Sequence, residues 1–425
     1  MKRRQFIQYA GAASLTSAAA LSGCATVGGN QPKVVVIGGG YAGATAAKYT
    51  RMWSEGKIDV TLIEPNDAFV SCPISNLVIG GHKTLQDITT PYDNLGKRHG
   101  VRLVKGMVDA IDATKKTVTL AGGQTLPYDR LIVSPGIDFM FEEVPGMQIA
   151  GATEKVPHAW KAGPQTVNLR KQLEAMPNGG VFAMSIPAAP YRCPPGPYER
   201  ACQVASYFKT HKPKSKILIL DENADITSKA GLFRKAWADH YAGMIDYRPN
   251  HKVMDVDANT RTLTFEFNDP VKADVLNYIP RMRAGAIAVK TGLATANKRW
   301  CEVDFLTFES KAAAGIHVLG DATLSAPLMP KSGHMANQHA KVCAAAVVAM
   351  LQGQAVDTMP LYNNTCYSFV TATDVVHVAS VHRYDAEKKT MVTVPGSGGL
   401  STAANELEGR YAWAWAQNIW ADTLA

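Results

Sequence analysis

The chain has 425 residues, 46% hydrophobic and 19% charged, a composition typical of a folded globular protein with room for two or three domains. Its formal net charge is +8, but no basic run with interleaved aromatic residues accompanies that charge, so the sequence does not indicate nucleic-acid binding. Beyond the first 30 residues, no stretch has the ~18 consecutive apolar residues that a membrane-spanning helix needs.

Residues 1–30 are predicted to be an export signal rather than part of the fold. Lys2, Arg3 and Arg4 begin it, a small and apolar stretch follows, and the segment contains no acidic residue. The Arg3-Arg4 pair is typical of a twin-arginine signal, which exports folded proteins to the periplasm; an ordinary export signal is the alternative. Cys24 follows Leu-Ser-Gly and is a candidate for lipidation, although such a run can also precede a later cleavage site.

A strand, a turn and a helix are predicted next, with the strand at residues 33–37 and the helix at 42–53. A second strand, at 60–63, ends in Glu64, which lies 21 positions after the last glycine of the turn. That spacing is close to the ~20 expected for a carboxylate that binds a ribose. The glycines of the turn are Gly38, Gly40 and Gly43. This fingerprint lets the backbone approach a pyrophosphate at the helix N-terminus, so the unit predicts a dinucleotide site.

Strand patterns at residues 101–110, 117–125 and 128–136 complete a first dinucleotide-binding segment, which we place at residues 31–150. A second α/β region is predicted at 151–285. Its elements are a helix at 164–176, a strand at 180–185, a helix at 198–210 and a strand at 216–221. The turn after its first strand is rich in proline and contains Cys193 in place of a glycine cradle. We therefore predict a nucleotide-type domain without a nicotinamide site.

The first domain resumes at residues 286–356, where a predicted strand at 315–321 ends in Gly320-Asp321. In flavoproteins an aspartate at this place reaches the ribityl chain, so the two separated signals together favour FAD over NAD. A helix is predicted at 334–351, and residues 357–425, with alternating strands and an aromatic tail, are predicted to form a C-terminal interface domain. The predicted fold class is α/β, with two dinucleotide-binding domains and this interface domain.

The cysteine pattern does not predict a metal site, because the chain has no Cys-x-x-Cys pair and its histidines are scattered. Cys72 stands alone shortly after the ribose acid, which suggests either a covalent flavin anchor or a buried core thiol. Cys193 and Cys366 suggest a redox disulfide beside the flavin, which accepts a sulfur nucleophile and passes on two electrons. A structural bridge, or two unrelated thiols, is the alternative.

Two further side chains are candidates for the site. Glu199 follows the cysteine-proline loop and is a candidate acid and base, or else a first-turn acid that the helix dipole stabilises. Lys331 lies in a Pro-Lys-Ser-Gly turn that opens a helix, and the amides of this turn are expected to face the flavin pyrimidine ring. The tail tryptophans, Trp413, Trp415 and Trp420, line the flavin or a partner surface, or simply pack, as aromatic tails more often do.

Several blocks of sequence resemble the flavoprotein subunit of flavocytochrome c sulfide dehydrogenase, over about residues 33–425. The blocks are residues 35–48, 61–65, 72, 75–76, 79–81, 157–163, 187–190, 192–201, 330–333 and 364–368. The block at 192–201, Arg-Cys-Pro-Pro-Gly-Pro-Tyr-Glu-Arg-Ala, is the most specific of these. Pro73 departs from the aromatic residue expected after the anchor cysteine in some members.

The resemblance implies a glutathione-reductase-like fold, FAD bound covalently to Cys72, and a redox disulfide between Cys193 and Cys366. It also implies oxidation of sulfide to sulfur or polysulfide, with electrons passing to a haem-bearing c-type cytochrome subunit. This chain has no Cys-x-x-Cys-His motif for covalent haem.

Three alternatives to this function remain open. A sulfide:quinone reductase should have a membrane-seated amphipathic C-terminus, and the tail has no basic amphipathic face. An NAD(P)H-dependent disulfide reductase should have a nicotinamide loop, and the proline-rich turn at Cys193 does not provide one. The third alternative is a non-catalytic, flavin-bearing subunit of a sulfur-oxidising complex.

Overall fold

A computed structural model describes residues 31–425, so the predicted export signal, with Arg3, Arg4 and Cys24, lies outside the described residues. The strands, in chain order, are β1 (Lys33–Ile37), β2 (Asp59–Glu64), β3 (Ala68–Val70), β4 (Thr89–Pro91), β5 (Arg102–Lys105), β6 (Val108–Asp112), β7 (Thr117–Leu120), β8 (Thr125–Pro127), β9 (Arg130–Val133), β10 (Ile137–Phe139), β11 (Val181–Ile186), β12 (Lys216–Asp221), β13 (Ile245–Arg248), β14 (Val253–Asp257), β15 (Thr262–Phe265), β16 (Val271–Lys272), β17 (Val275–Tyr278), β18 (Met282–Ala284), β19 (Ile316–Val318), β20 (Leu361–Phe369), β21 (Val375–Asp385), β22 (Thr390–Thr393) and β23 (Gly399–Leu400).

The α-helices are α1 (Tyr41–Trp53), α2 (Ser75–Gly80), α3 (Asp93–His99), α4 (Ala152–Lys155), α5 (Pro164–Ala175), α6 (Gly196–His211), α7 (Ala230–His240), α8 (Ala286–Lys290), α9 (Gly333–Leu351) and α10 (Glu406–Leu424). Short 3₁₀ helices cover Gln86–Ile88, Phe141–Glu143, Pro145–Gln148 and Gly320–Ala322. Within residues 31–425, no helix combines the length and the apolar character needed to cross a membrane.

A five-stranded parallel sheet carries the glycine turn. Its strand order is β19-β9-β1-β2-β5, and each neighbouring pair is parallel. Val34, Val35 and Val36 of the central strand β1 are at most 2% exposed, as expected for a β-branched run covered on both faces. The edge strand β19 comes from a much later part of the chain than β9. Residues before and after the second α/β region therefore share one sheet.

A second parallel sheet has the order β13-β12-β11-β17, and α6 connects β11 to β12. This is the βαβ unit whose turn contains Cys193. After it, β20, β21, β22 and β23 form an antiparallel sheet, on which α10 packs. Cys366 lies within the long strand β20, and this strand also contacts α6 and α9.

Most element predictions agree with the structure to within one or two residues. The strand predicted at 216–221 has those bounds, and the helix predicted at 42–53 begins one residue earlier, at Tyr41. The pattern at 101–110 is two strands, β5 and β6, rather than one, because the chain leaves one sheet and enters another around Gly106. The domain boundaries drawn from the sequence stay predictions.

Candidate active site

The glycine turn is closely packed on one side and open on the other. Gly38 has φ +92°, and a Cβ there would lie 2.3 Å from the Ser134 carbonyl oxygen. A Cβ at Gly43 would lie 1.8 Å from the Gly38 carbonyl oxygen, so neither position tolerates a side chain. Around a Cβ at Gly40, at the start of α1, no atom lies within 4 Å. The turn thus leaves open space at the N-terminus of α1, where a pyrophosphate is expected.

Glu64 lies beside this turn at the end of β2, at the place predicted for a ribose-binding acid. Its Oε2 accepts a 2.6 Å hydrogen bond from the Gly39 N–H, and its Oε1 accepts two from Asn66, at 3.0 Å from the backbone N and 2.6 Å from Nδ2. The carboxylate is therefore held at the carboxyl edge of the sheet.

Asp321 and Lys331 lie together after β19. Asp321 Oδ1 is buried without a hydrogen-bond partner among residues 31–425, and burial raises the pKa of this carboxyl, against the influence of Arg192 and Lys331. Lys331 Nζ donates to the Asp321 carbonyl at 3.1 Å and also to the Thr323 carbonyl, and burial lowers its pKa to about 8. The Lys331 ammonium thus faces the protein interior.

One cavity brings three cysteines together, with about 820 Å³ of space when its open mouth is included. Cys72 follows β3, Cys193 precedes α6 and Cys366 lies in β20, and all three line this cavity. Glu199 lines it too, whereas the Lys331 side chain does not. The three cysteines are free thiols in the structure, so the Cys193–Cys366 disulfide stays a prediction.

The Cys193 loop is held by backbone hydrogen bonds. Cys193 has φ +59°, a left-handed conformation that is uncommon for a residue with a side chain. Its N–H donates to the Lys331 carbonyl at 2.8 Å, and its carbonyl accepts from the Gly196 N–H at 2.9 Å. A Cβ at Gly196 would lie 3.0 Å from Cys193 Sγ and 2.9 Å from Cη2 of Trp160. The absence of a side chain at Gly196 therefore leaves the space that the Cys193 thiol and the Trp160 ring need.

Glu199 is buried in the first turn of α6, and both of its oxygens are bonded. Oε2 accepts from Asn76 Nδ2 at 2.8 Å, and Oε1 accepts from the Phe369 N–H at 2.8 Å. Burial raises the pKa of this carboxyl, although both hydrogen bonds favour its charged form. Burial, Cys366 and Glu199 also raise the pKa of the Cys193 thiol. The Glu199 carboxyl and the Cys193 thiol therefore both hold a proton more readily than they would in water.

Cys366 has a more polar environment. Asn364 Nδ2 lies 3.5 Å from its Sγ, and Ser332 Oγ donates to Asn364 Oδ1 at 2.7 Å. Burial raises the pKa of the Cys366 thiol, and the positive charge of Lys229 is the largest influence that opposes this. Sequence analysis assigned Lys229 no role.

Cys72 shares a contact region with the Cys193 loop. The Ala162 N–H donates to Cys72 Sγ at 3.3 Å, and Sγ lies 3.9 Å from the Trp160 carbonyl oxygen. Arg192 Nη2 donates to the same Trp160 carbonyl. The predicted anchor thiol and the guanidinium next to Cys193 therefore meet at one carbonyl.

Arg200, which sequence analysis also missed, holds the wall of the cavity. It is 1% exposed and makes four hydrogen bonds: to the carbonyls of His158 (3.0 Å) and Ala159 (2.6 Å) and to the side chains of Asn76 (3.1 Å) and Asn277 (2.8 Å). The residues after it, 201–205, are apolar except for Gln203, a pattern too short and mixed to separate Arg200 from a surface cation.

The remaining aromatic and cysteine candidates have separate environments. Trp415 lines the cavity, whereas Trp420 Nε1 donates to Tyr41 Oη at 2.9 Å and Trp413 packs edge-on against Trp420. The thiols to which the sequence assigned no role are fully buried: Cys202, Cys301 and Cys343.

Comparisons with known proteins identify the family. The family model for the central part of the sulfide dehydrogenase [flavocytochrome c] flavoprotein chain matches residues 166–280, and the flavin-binding model of flavocytochrome c sulphide dehydrogenase matches 358–424. The sulfide dehydrogenase [flavocytochrome c] flavoprotein chain of Chlorobaculum thiosulfatiphilum is 56% identical over 46 residues, which are 11% of this chain and 94% of that sequence. The chain belongs to the flavocytochrome c sulfide dehydrogenase flavoprotein family.

More distant relatives cover more of the chain. The mitochondrial sulfide:quinone oxidoreductases of Dictyostelium discoideum and Mus musculus are 22% and 26% identical over 310 residues, which are 69% of this chain and 66% of each relative, just under two thirds. The pyridine nucleotide-disulphide oxidoreductase model matches residues 32–174. The crystal structure of sulfide:quinone oxidoreductase from Aquifex aeolicus has a TM-score of 0.74 at 19% identity and covers 92% of this chain and 91% of that one. The predicted α/β flavoprotein fold is confirmed.

Proposed function

We propose that this protein oxidises sulfide to sulfur or polysulfide and passes the electrons through FAD to a c-type cytochrome. The observation that carries this proposal is the meeting of Cys72, Cys193 and Cys366 at one cavity, from three separate elements of the chain. Membership of the sulfide dehydrogenase flavoprotein family supports sulfide as the substrate and a cytochrome as the partner.

The residues present fit FAD. The open space at Gly40 suits the pyrophosphate, Glu64 suits the adenosine ribose, and the unpartnered Asp321 Oδ1 suits a hydroxyl of the ribityl chain. Cys72 is proposed to hold the flavin covalently, with its sulfur oriented by the Ala162 N–H. When bound, FAD accepts two electrons and releases them one at a time.

The cysteines are proposed to perform the sulfur chemistry. Hydrosulfide attacks Cys193 Sγ of a Cys193–Cys366 disulfide, the S–S bond breaks, and Cys366 leaves as a thiolate with the bonding electron pair. Cys193 then carries a persulfide. A second hydrosulfide attacks the outer sulfur and releases it as a polysulfide, which frees Cys193. Glu199, with its raised pKa, exchanges protons with the Cys193 sulfur during these steps.

The electron acceptor is the point on which the relatives differ. Long matches to sulfide:quinone oxidoreductases favour a quinone as the second candidate. The two acceptors are separated by measuring sulfide-dependent reduction of oxidised cytochrome c and of decylubiquinone by the purified flavin-loaded protein. We expect reduction of cytochrome c; reduction of the quinone alone would overturn the proposed acceptor.

The role of the disulfide is tested in the same assay with Cys193→Ser. We expect this variant to lose sulfide oxidation, whereas Cys202→Ser, which removes a buried thiol bonded to Trp237 outside the cavity, retains it. Full activity of Cys193→Ser would refute the mechanism. If the wild-type flavin does not bleach when sulfide is added without oxygen, the non-catalytic flavin-bearing subunit is the better assignment.

The cellular location is proposed from the sequence alone. The Arg3-Arg4 pair supports export to the periplasm by the twin-arginine route, and Cys24 is the candidate lipid anchor. Fractionation of cells that express wild type or an Arg3→Lys, Arg4→Lys double variant tests this location. Cytoplasmic retention of the double variant is expected.

A further inference from the structure

Lys229 is a buried cation that none of the steps above uses. It precedes α7, and only 6% of its surface is exposed. Its Nζ donates to the Cys366 carbonyl at 2.9 Å, to Ser368 Oγ at 2.8 Å and, at the longer distance of 3.4 Å, to the Val376 carbonyl. All three acceptors are neutral, and two of them belong to the strand that carries the Cys366 thiol.

The charge of Lys229 has no direct counter-ion. Within residues 31–425, its Nζ is not within 4 Å of any carboxylate oxygen, although a buried ammonium normally requires an opposite charge. The ionisable groups around it are Cys366 on β20, Glu199 on α6, Cys193 on the preceding loop and Glu408 on α10. Burial lowers the Lys229 pKa to about 8, and these groups oppose that effect, with Cys366 first among them.

We propose that Lys229 is a positioning residue that stabilises the Cys366 thiolate, so that Cys366 and not Cys193 is the sulfur expelled when the disulfide opens. The redox part of this inference rests on the proposed function. When hydrosulfide bonds to Cys193 and the S–S bond breaks, one electron pair and one negative charge move onto Cys366 Sγ. The ammonium beside that residue compensates the charge, and no further oxidant or reductant is needed.

The two cysteines differ in the way that this role requires. Glu199 and Lys229 act on both thiols, but in a different order. Lys229 is the largest charge influence on Cys366, which also has Asn364 Nδ2 near its sulfur and Lys229 on its own carbonyl. At Cys193 the carboxylate of Glu199 is a larger influence than the positive charge of either Arg192 or Lys229. In thiol–disulfide exchange the sulfur with the lower thiol pKa is the better leaving group. The asymmetry of the cavity therefore directs attack to Cys193 and departure to Cys366.

The test is the pH dependence of alkylation of each cysteine in the reduced native protein. Iodoacetamide is added across a pH series, and peptide mass spectrometry reports the labelling rates of Cys366 and Cys193 separately. The variants are Lys229→Met, Lys229→Arg and, as a matched control, Lys212→Met. Lys212 is also a buried lysine that donates to backbone carbonyls, those of Glu174 and Met176, but it is not among the charged groups that act on Cys366.

In wild type we expect Cys366 to ionise at lower pH than Cys193. Lys229→Met should raise the Cys366 midpoint by about 1–3 pH units, the usual effect of removing an adjacent opposite charge. Lys229→Arg and Lys212→Met should leave that midpoint near the wild-type value. A Cys366 midpoint that Lys229→Met leaves unchanged would overturn the inference. So would a lower midpoint for Cys193 in wild type, a comparison that requires no variant to fold.

Failure of this inference is distinguishable from failure of the proposed function. If wild type does not oxidise sulfide but Lys229→Met still raises the Cys366 midpoint, the electrostatic role of Lys229 holds and the substrate assignment is wrong. If wild type oxidises sulfide but the midpoint does not move, the proposed function holds and the role of Lys229 is wrong.

Discussion

Substitution of Gly196 by alanine is predicted to destabilise the protein by crowding the Cys193 thiol. The new Cβ would lie 3.0 Å from Cys193 Sγ and 2.9 Å from the rigid, buried ring of Trp160. Overpacking of this kind typically costs about 1–3 kcal/mol, and the better helix propensity of alanine returns at most about 1 kcal/mol. We expect a net loss of about 1–2 kcal/mol in the free energy of unfolding.

Gly231 provides a matched control, because it also lies in the first turn of a helix, α7, and no atom lies within 4 Å of its Cβ position. Gly231→Ala should therefore gain about 0.5–1 kcal/mol from helix propensity alone. Urea unfolding of the two variants measures the difference in the free energy of unfolding, which should be about 1.5–3 kcal/mol.

The same substitution should also change the chemistry of the thiol. Because the added methyl group displaces Cys193 Sγ, Gly196→Ala should slow iodoacetamide labelling of Cys193, and Gly231→Ala should not. If Gly196→Ala is as stable as Gly231→Ala and Cys193 reacts at the wild-type rate, the close packing described around the loop is wrong.

Three further predictions concern residues in or next to the cavity wall. Arg200→Met should lower the free energy of unfolding, measured by urea titration, by at least about 3 kcal/mol, since each buried acceptor left unpaired costs about 1–3 kcal/mol. The control variant Arg248→Met, at a side chain that is 42% exposed, should change this free energy by less than about 0.5 kcal/mol. Burial lowers the pKa of His158 to about 3, so its contribution to stability is complete above the unfolded value near 6.5 and is lost as the pH falls toward 3. His158 should account for up to about 2 kcal/mol of the stability that wild type loses between pH 7 and pH 5. His158→Asn, which keeps an acceptor for the Trp160 N–H, should therefore lose less than wild type over this range, and equal losses would contradict this origin. Cys72→Ser should release its flavin on acid precipitation, whereas flavin that stays with the precipitated variant would exclude Cys72 as the attachment point.

The sequence predicts those parts of the site that lie within a short, continuous stretch of chain. Gly38, Gly43 and Glu64 follow from the spacing of a single strand–turn–helix–strand, and Asp321 follows from the end of another strand. The amides of the turn that contains Lys331 were expected to face the flavin, and this stays a prediction. The Lys331 side chain turns inward to the Thr323 carbonyl, and its own carbonyl fixes the Cys193 loop.

The charged residues that support the cavity could not be predicted, because their burial depends on tertiary contacts. Arg200 and Lys229 have no sequence pattern that separates them from surface cations. Their partners lie far away in the chain: Asn277 for Arg200 and Ser368 for Lys229. Cys193 and Cys366 also line one cavity from distant parts of the chain. The sequence suggested that they pair but left a structural bridge or two unrelated thiols open, and only the family resemblance implied the redox disulfide.

The discontinuous first sheet constrains when the cofactor can enter. The edge strand β19 joins β9 from the far side of the second α/β region, and Cys366 and Trp415 close the cavity from still later residues. A nascent chain therefore has the glycine turn long before it has Asp321 or the cavity wall. Flavin capture follows nearly complete synthesis, and contacts of such long sequence separation make assembly of the site a slow step of folding. Early truncation products retain the fingerprint but cannot form the site.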